Sequence, residues 1–266
     1  MLFRYVLQHN GMPPPYLFSM VTHMQLHRAF GSLASSILIS STLLTTATQA
    51  GVVVNGTRII YENGQTEKAI QLDNRDNFPN LVQLWTDRGN EDLTIETADG
   101  PFMTNPQIFK MSPNQSQIVR MHFTGNTQEL PQDKESLFFL NVNEIPALKA
   151  KDLAANRLVV SFTNRIKVFY RPKGVEGTSA DTPKNIRYEI QGNHIRLHNP
   201  TPYYANISQI QLLQNNKALK TDKSLVIAPK AFLDWKATPT SSGNVQIKAI
   251  FINDFGAAVN TDLTAQ

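Results

Sequence analysis

From Gly51 onward, apolar residues recur in short runs with a period of two, separated by clusters of Gly, Asn, Asp and Pro. That pattern predicts half-buried β-strands joined by tight turns. The runs are Arg58–Tyr61, Leu81–Thr86, Gln117–Phe123, Leu137–Val142, Arg157–Tyr170, Ile186–Gln191, Ile207–Leu213, Phe232–Trp235 and Val245–Ile252. No segment beyond residue 50 carries a helical period, and Ala147–Ala155 has room for a turn or two at most. A stretch rich in Pro, Gly, Ser and Thr, Pro172 to Pro183, interrupts the strands and divides them into two sets, each of a size that suits one immunoglobulin-like sandwich. The expectation is an all-β chain with two cores.

The longest run, Arg157–Tyr170, alternates strictly at its start: Leu158, Val160 and Phe162 point one way, and Val159, Ser161 and Thr163 the other. Inside its own sandwich such a strand is ordinary. Left on an edge it is an aggregation hazard unless a partner covers it.

Residues 1–50 contain no Asp or Glu. His27 and Arg28 precede an apolar stretch from Phe30 to Ala47, and Thr48-Gln49-Ala50 follows it. This order of basic, apolar and small residues predicts a cleavable export signal, with the mature chain starting at Gly51. The stretch Gly31–Ala47 holds eight Ser and Thr residues, which argues against a membrane span. Pro13-Pro14-Pro15 fits no part of a signal, so translation is expected to start at Met20 or Met24.

Composition narrows the chemistry. With no cysteine, disulfides and thiolate or Cys-metal sites are excluded. The 25 Lys and Arg against 21 Asp and Glu give a net charge of only +4, without a long basic run, so neither nucleic acid nor lipid is the expected partner. His194 and His198 stand four apart, a spacing that brings side chains together on a helix but not along a strand. There is no Gly-x-Ser-x-Gly elbow, phosphate-binding glycine loop or His-Glu-x-x-His. No catalytic residue, metal or cofactor is expected.

Five charges lie in or beside apolar runs: Arg58, Glu135, Lys167, Arg171 and Asp254. Charges at strand ends are commonly just solvated, but partly buried ones need partners. Arg58 with Lys167 is a basic pair suited to a carboxylate. Glu135, Arg171 and Asp254 balance in sign well enough to form a network.

The stretch Leu130-Pro131-Gln132-Asp133-Lys134-Glu135-Ser136-Leu137-Phe138-Phe139-Leu140-Asn141-Val142-Asn143-Glu144-Ile145-Pro146-Ala147 resembles the signature of the PapD-like periplasmic pilus chaperones. Thr57–Tyr61, Ile166–Pro172, His198–Tyr204 and Ile252–Gly256 are similar to further segments of that family.

The resemblance implies two immunoglobulin-like β-sandwich domains joined at an angle, over residues 51–172 and 173–266 behind a signal region 1–50. It implies a non-enzymatic periplasmic chaperone that caps pilin subunits by lending them a strand and delivers them to an outer-membrane usher. Arg58 and Lys167 are then expected to anchor the subunit's C-terminal carboxylate. Leu158, Val160 and Phe162 are expected to fill the subunit's groove, and Glu135, Arg171 and Asp254 to form a charge network between the domains. The short connection from Ala147 to Asn156 resembles the short-loop branch of the family. Self-association of the unloaded protein is expected as a way to cover the strand edge. The alternative reading is a structural pilus subunit or adhesin.

Overall fold

The computed structural model describes residues 51–147, 159–239 and 244–266. Leu158, the Ala147–Ala155 turn beyond its first residue, and the short connection lie outside the described residues.

The first set of strands is β1 (Val52–Val54), β2 (Arg58–Glu62), β3 (Lys68–Asn74), β4 (Asn80–Asp87), β5 (Phe102–Asn105), β6 (Ile108–Met111), β7 (Ser116–Phe123), β8 (Ser136–Pro146) and β9 (Phe162–Arg171). They form a four-stranded sheet in the order β1-β3-β7-β5 and a five-stranded sheet in the order β2-β9-β8-β4-β6. The N-terminal segment serves both sheets: β1 pairs antiparallel with β3, and β2 then crosses to pair parallel with β9. Gly56 makes the crossing with φ of +128°, a conformation open only to glycine.

Alternation decides what each sheet buries. Val82 and Leu84 of β4, Phe138, Leu140 and Val142 of β8, and Val168 and Tyr170 of β9 meet Ile70, Leu72, Val119 and Met121 from the facing sheet. Aromatic rings close one end, with Phe102 edge-on to Tyr61 at 5.2 Å and to Phe138 at 5.5 Å. Such pairs add to plain area burial.

The second set follows a single helical turn, α1 (Thr182–Asn185), with Pro183 in its first turn. Its strands are β10 (Arg187–Gln191), β11 (His194–Asn199), β12 (Ala205–Gln214), β13 (Lys217–Ile227), β14 (Ala231–Trp235), β15 (Val245–Ile252) and β16 (Ala258–Ala265). They run in the order β13-β12-β15-β16-β10-β11-β14. Strand β16 links two sheets, pairing antiparallel with β15 through Leu263 and parallel with β10 at Thr264 and Ala265. Asn215 and Asn216, with φ of 50° and 63°, make the two-residue β12–β13 turn. A second core of Ile186, Ile195, Leu197, Ile210, Leu212, Trp235 and Phe251 sits between these layers. The chain is therefore all-β, with two sandwiches and a core in each.

One strand differs from its expected length. Among the described residues of the run Arg157–Tyr170 the strand begins at Phe162, and Val159–Ser161 carry no ladder. The β8–β9 pairing stops at Glu144 opposite Phe162, two residues short of Pro146, which has no N–H to offer.

Candidate functional site

Strand β9 carries or touches most of the residues singled out above. At its N-terminal approach, Val160 is half-buried and Val159 is 43% exposed. Phe162 is half-buried and shares its strand face with Ile166, Val168 and Tyr170, which belong to or pack on the first core. The apolar face of β9 thus runs out of the sandwich at that end. The ladder with β2 covers only Lys167–Arg171, so Thr163–Ile166 are laddered to β8 alone among the described residues.

Where that ladder begins, Arg58 of β2 is the direct partner of Lys167 of β9. Both are half-buried. Arg58 Nη1 donates to the backbone carbonyl of Ile252 at 2.8 Å, fixing the guanidinium against the second sandwich. Its Nε is buried without a hydrogen-bond partner among the described residues. Burial pushes the Lys167 ammonium below its usual range, and the nearby Arg58 charge pushes the same way. Burial also lowers Arg58, with Asp254 pulling it up. Two desolvated cations and an orphaned donor side by side form a cradle for an anion.

Four residues further along β9, Arg171 joins the sandwiches. Its Nε and Nη2 donate to Glu135 Oε1 at 2.8 and 2.6 Å, and Nη2 also donates to Asp254 Oδ2 at 2.9 Å. The other Glu135 oxygen accepts from the backbone N–H of Tyr204 at 2.9 Å, and Ser179 Oγ donates to Asp254. Burial raises the Glu135 carboxyl, with Arg171 and the Tyr204 N–H pulling it down. Arg171 loses hydration too, yet its two carboxylates hold it firmly charged. Phe169 packs on Tyr204 with ring centres 5.5 Å apart, adding an apolar contact to the junction.

Several residues went unnoticed in the sequence. Asp87, fully buried at the end of β4, accepts from Asn141 Nδ2 at 2.6 Å and from Arg165 Nη2 at 2.5 Å. Arg165 lies with its guanidinium carbon 3.9 Å from the Phe139 ring centre and reaches Glu91 at 2.7 Å. This brace ties β9 to β4 across the intervening β8. No local pattern marks it, because Arg165 and Asp87 are 78 positions apart. Phe255 is 96% exposed on the turn after β15, which is pinned by two hydrogen bonds to Asn253 Oδ1. The turn lies beside the cradle, since a Cβ on Gly256 would meet the Thr57 hydroxyl.

The described residues hold no cluster of three or more His, Cys, Asp or Glu able to bind a metal ion, and no helix among them is long and apolar enough to cross a membrane.

Residues 51–176 match the family model described as pili and flagellar-assembly chaperone, PapD N-terminal domain, and residues 181–263 match that of the pili assembly chaperone PapD, C-terminal domain. The chain is 32% identical over 228 residues to the chaperone protein FimB/FhaD of Bordetella pertussis, covering 85% of this chain and 91% of the relative. It is 33% identical over 218 residues to the probable fimbrial chaperone YadV of Escherichia coli K12, covering 79% and 88%. Among solved structures, YadV superposes with a TM-score of 0.66 at 31% identity, covering 80% of this chain and 98% of that one. The Salmonella enterica SafA pilin in complex with the SafB chaperone gives a TM-score of 0.67 at 27% identity, covering 82% and 98%. With both sandwiches matched in order, the chain belongs to the PapD family of pilus-assembly chaperones.

Proposed function

We propose that this chaperone works in the periplasm, where it captures pilin subunits by their C-terminal carboxylate at Arg58 and Lys167 and caps them with the segment Leu158-Val160-Phe162. It then passes them to an outer-membrane usher. The observation that carries this reading is the register pairing of two half-buried cations, one with an orphaned N–H, on the same strand whose apolar face runs out of the sandwich at its N-terminal end. A subunit lacking its own last strand exposes an apolar groove and an unpaired edge, both costly in water. Val160 and Phe162 would each contribute up to roughly 1.5–3 kcal/mol on entering that groove. A carboxylate in the cradle then sets the register, because a slip of one residue turns the wrong strand face inward.

On this reading the two domains are residues 51–172 and 173–266, and Glu135, Arg171 and Asp254 hold them in a fixed relation. The protein performs no chemistry on its client, and it is exported by a leader cut before Gly51. Unloaded copies cover the β9 edge by self-association.

The test is co-purification from periplasm of the tagged protein with candidate pilins of its own genome, wild type beside Lys167→Ala. Recovery of a pilin with wild type and its loss with the variant is expected. Equal recovery with both removes the carboxylate role.

A further inference from the structure

Glu144 is a carboxylate in an unusual place. It follows Phe138, Leu140 and Val142 on the inward face of β8 and is only 7% exposed. Its carboxylate accepts from the backbone N–H of Val52. Asp76, also 7% exposed, adds a second negative charge nearby. Asp76 is served by Asn80 Nδ2 at 2.8 Å, and Asn80 and the Asp76 backbone in turn bond Asn74 Oδ1. Amides satisfy hydrogen bonds but leave charge in place. Neither carboxylate has an ion-pair partner among the described residues, and burial followed by the Asp76 charge raises the Glu144 carboxyl. A buried carboxylate pair of this kind calls for a cation.

Position 51 sits directly on that carboxylate. A Cβ built on Gly51 would overlap both oxygens of Glu144, so a larger residue collides there. The Gly51 carbonyl accepts from the backbone N–H of Arg75 at 3.0 Å, while the next N–H, that of Val52, is held by Glu144 itself. The start of β1 is thus fastened on both sides. Arg75 is exposed and offers this end its backbone only.

We propose that the missing cation is the α-ammonium of Gly51, released when the leader is cut before that residue, and that Glu144, with Asp76 behind it, is its seat. Hydrolysis of the Ala50–Gly51 amide by water leaves a carboxylate on Ala50 and an amine on Gly51, and the amine takes up a proton at neutral pH. Before the cut the same nitrogen is a neutral amide, so Glu144 is buried beside Asp76 without compensation. Cleavage therefore completes the first sandwich as well as freeing it, and the requirement for glycine at position 51 follows from the closeness of the carboxylate. The inference rests on the reading that the leader ends at Ala50.

The full-length gene is expressed with export, and the intact mass of the purified protein gives its first residue. Two forms are then compared: the natural one, and one with Ala-Ser inserted between Ala50 and Gly51, which moves the ammonium two residues away. Each is made with and without Glu144→Gln. At pH 7 the insertion is expected to lower the thermal midpoint by about 2–4 °C in the wild-type background and by under about 1 °C with Glu144→Gln. The α-amine, reductively methylated with carbon-13 and titrated by NMR, is expected to titrate above its usual range of about 7.7–8.0 and to return to it with Glu144→Gln. A first residue other than Gly51 overturns the processing site and the natural ion pair together. A Gly51 start with equal midpoint losses in both backgrounds overturns the ion pair alone. Pilin capture through Arg58 and Lys167 is unaffected by either result, because Glu144 lies outside the cradle.

Discussion

Arg58 and Lys167 stand opposite one another as register partners on parallel strands, and among the described residues neither forms an ion pair. The Lys167 pKa lies below the ordinary lysine value of 10.5, through burial first and then the Arg58 charge. The folded protein thus binds fewer protons at this site than the unfolded chain. Its contribution to stability is present above the unfolded value and is lost as pH falls through the depressed folded one. Lys167→Met is therefore expected to raise the urea midpoint at pH 7, the gap closing as pH rises toward 10.5. The same variant should bind a pilin about 10- to 100-fold more weakly, the value of a charged hydrogen bond. A lower midpoint at pH 7 would mean that Lys167 stabilises the fold in its charged form, the opposite of what its depressed pKa requires.

Removing Arg171 strands a carboxylate whose side chain is 3% exposed. Arg171→Met is expected to cost roughly 3–5 kcal/mol in denaturant unfolding. Asp254→Asn should cost much less, because Asp254 is more exposed and Glu135 keeps both of its hydrogen bonds from Arg171. A loss below about 1 kcal/mol for Arg171→Met would show that the junction stands without the network.

Val160→Asp tests the capping strand. Val160 lies outside any ladder and is only half-buried, so the unfolding free energy should fall by no more than about 1–1.5 kcal/mol. Pilin affinity should fall at least about 100-fold, because a carboxylate would enter an apolar groove unpaired. Surface plasmon resonance against a purified subunit measures this, and unchanged affinity would remove Val160 from the capping segment.

The Asp87 brace makes a separate prediction. Asp87→Asn leaves Arg165 without its buried partner and is expected to cost about 1–3 kcal/mol. Glu91→Gln should be nearly neutral, since the Glu91 side chain is 55% exposed. A double-mutant cycle of Asp87→Asn with Arg165→Met reads the coupling, and a value near zero would mean the two act independently.

Strands with one apolar and one polar face were legible in the sequence: Leu81–Thr86 falls inside β4, Leu137–Val142 inside β8, and Val245–Ile252 coincides with β15. Strand β13 was not picked out, because Lys217, Lys220 and Lys223 give this sheet-edge strand little apolar signal. Strand β16 was missed for a related reason: Asn260, Thr261 and Asp262 outweigh its one buried residue, Leu263. Among the charges, polarity within apolar runs drew attention to Arg58, Lys167, Glu135, Arg171 and Asp254. Charge alone suggested grouping them as a basic pair and a network, and the expected roles came from family resemblance; that Arg58 and Lys167 are register partners was not readable, since the β2–β9 pairing spans over a hundred positions. Glu144 lay unremarked inside a recognised motif. Only the folded chain brings position 51 against it.

Strand β9 also acts as a ruler. Phe162, Lys167 and Arg171 lie on one continuous strand, whose rise of about 3.3 Å per residue puts Phe162 roughly 16–17 Å from Lys167. Neither strand bending nor domain movement alters that span appreciably while the β8 ladder holds. If Lys167 grips a client's chain end as proposed, that client would have to present its groove at a matching distance. Length, counted in whole residues, would then be a criterion of admission alongside shape and charge, and a pilin one residue longer or shorter past its groove would meet the wrong face of the strand.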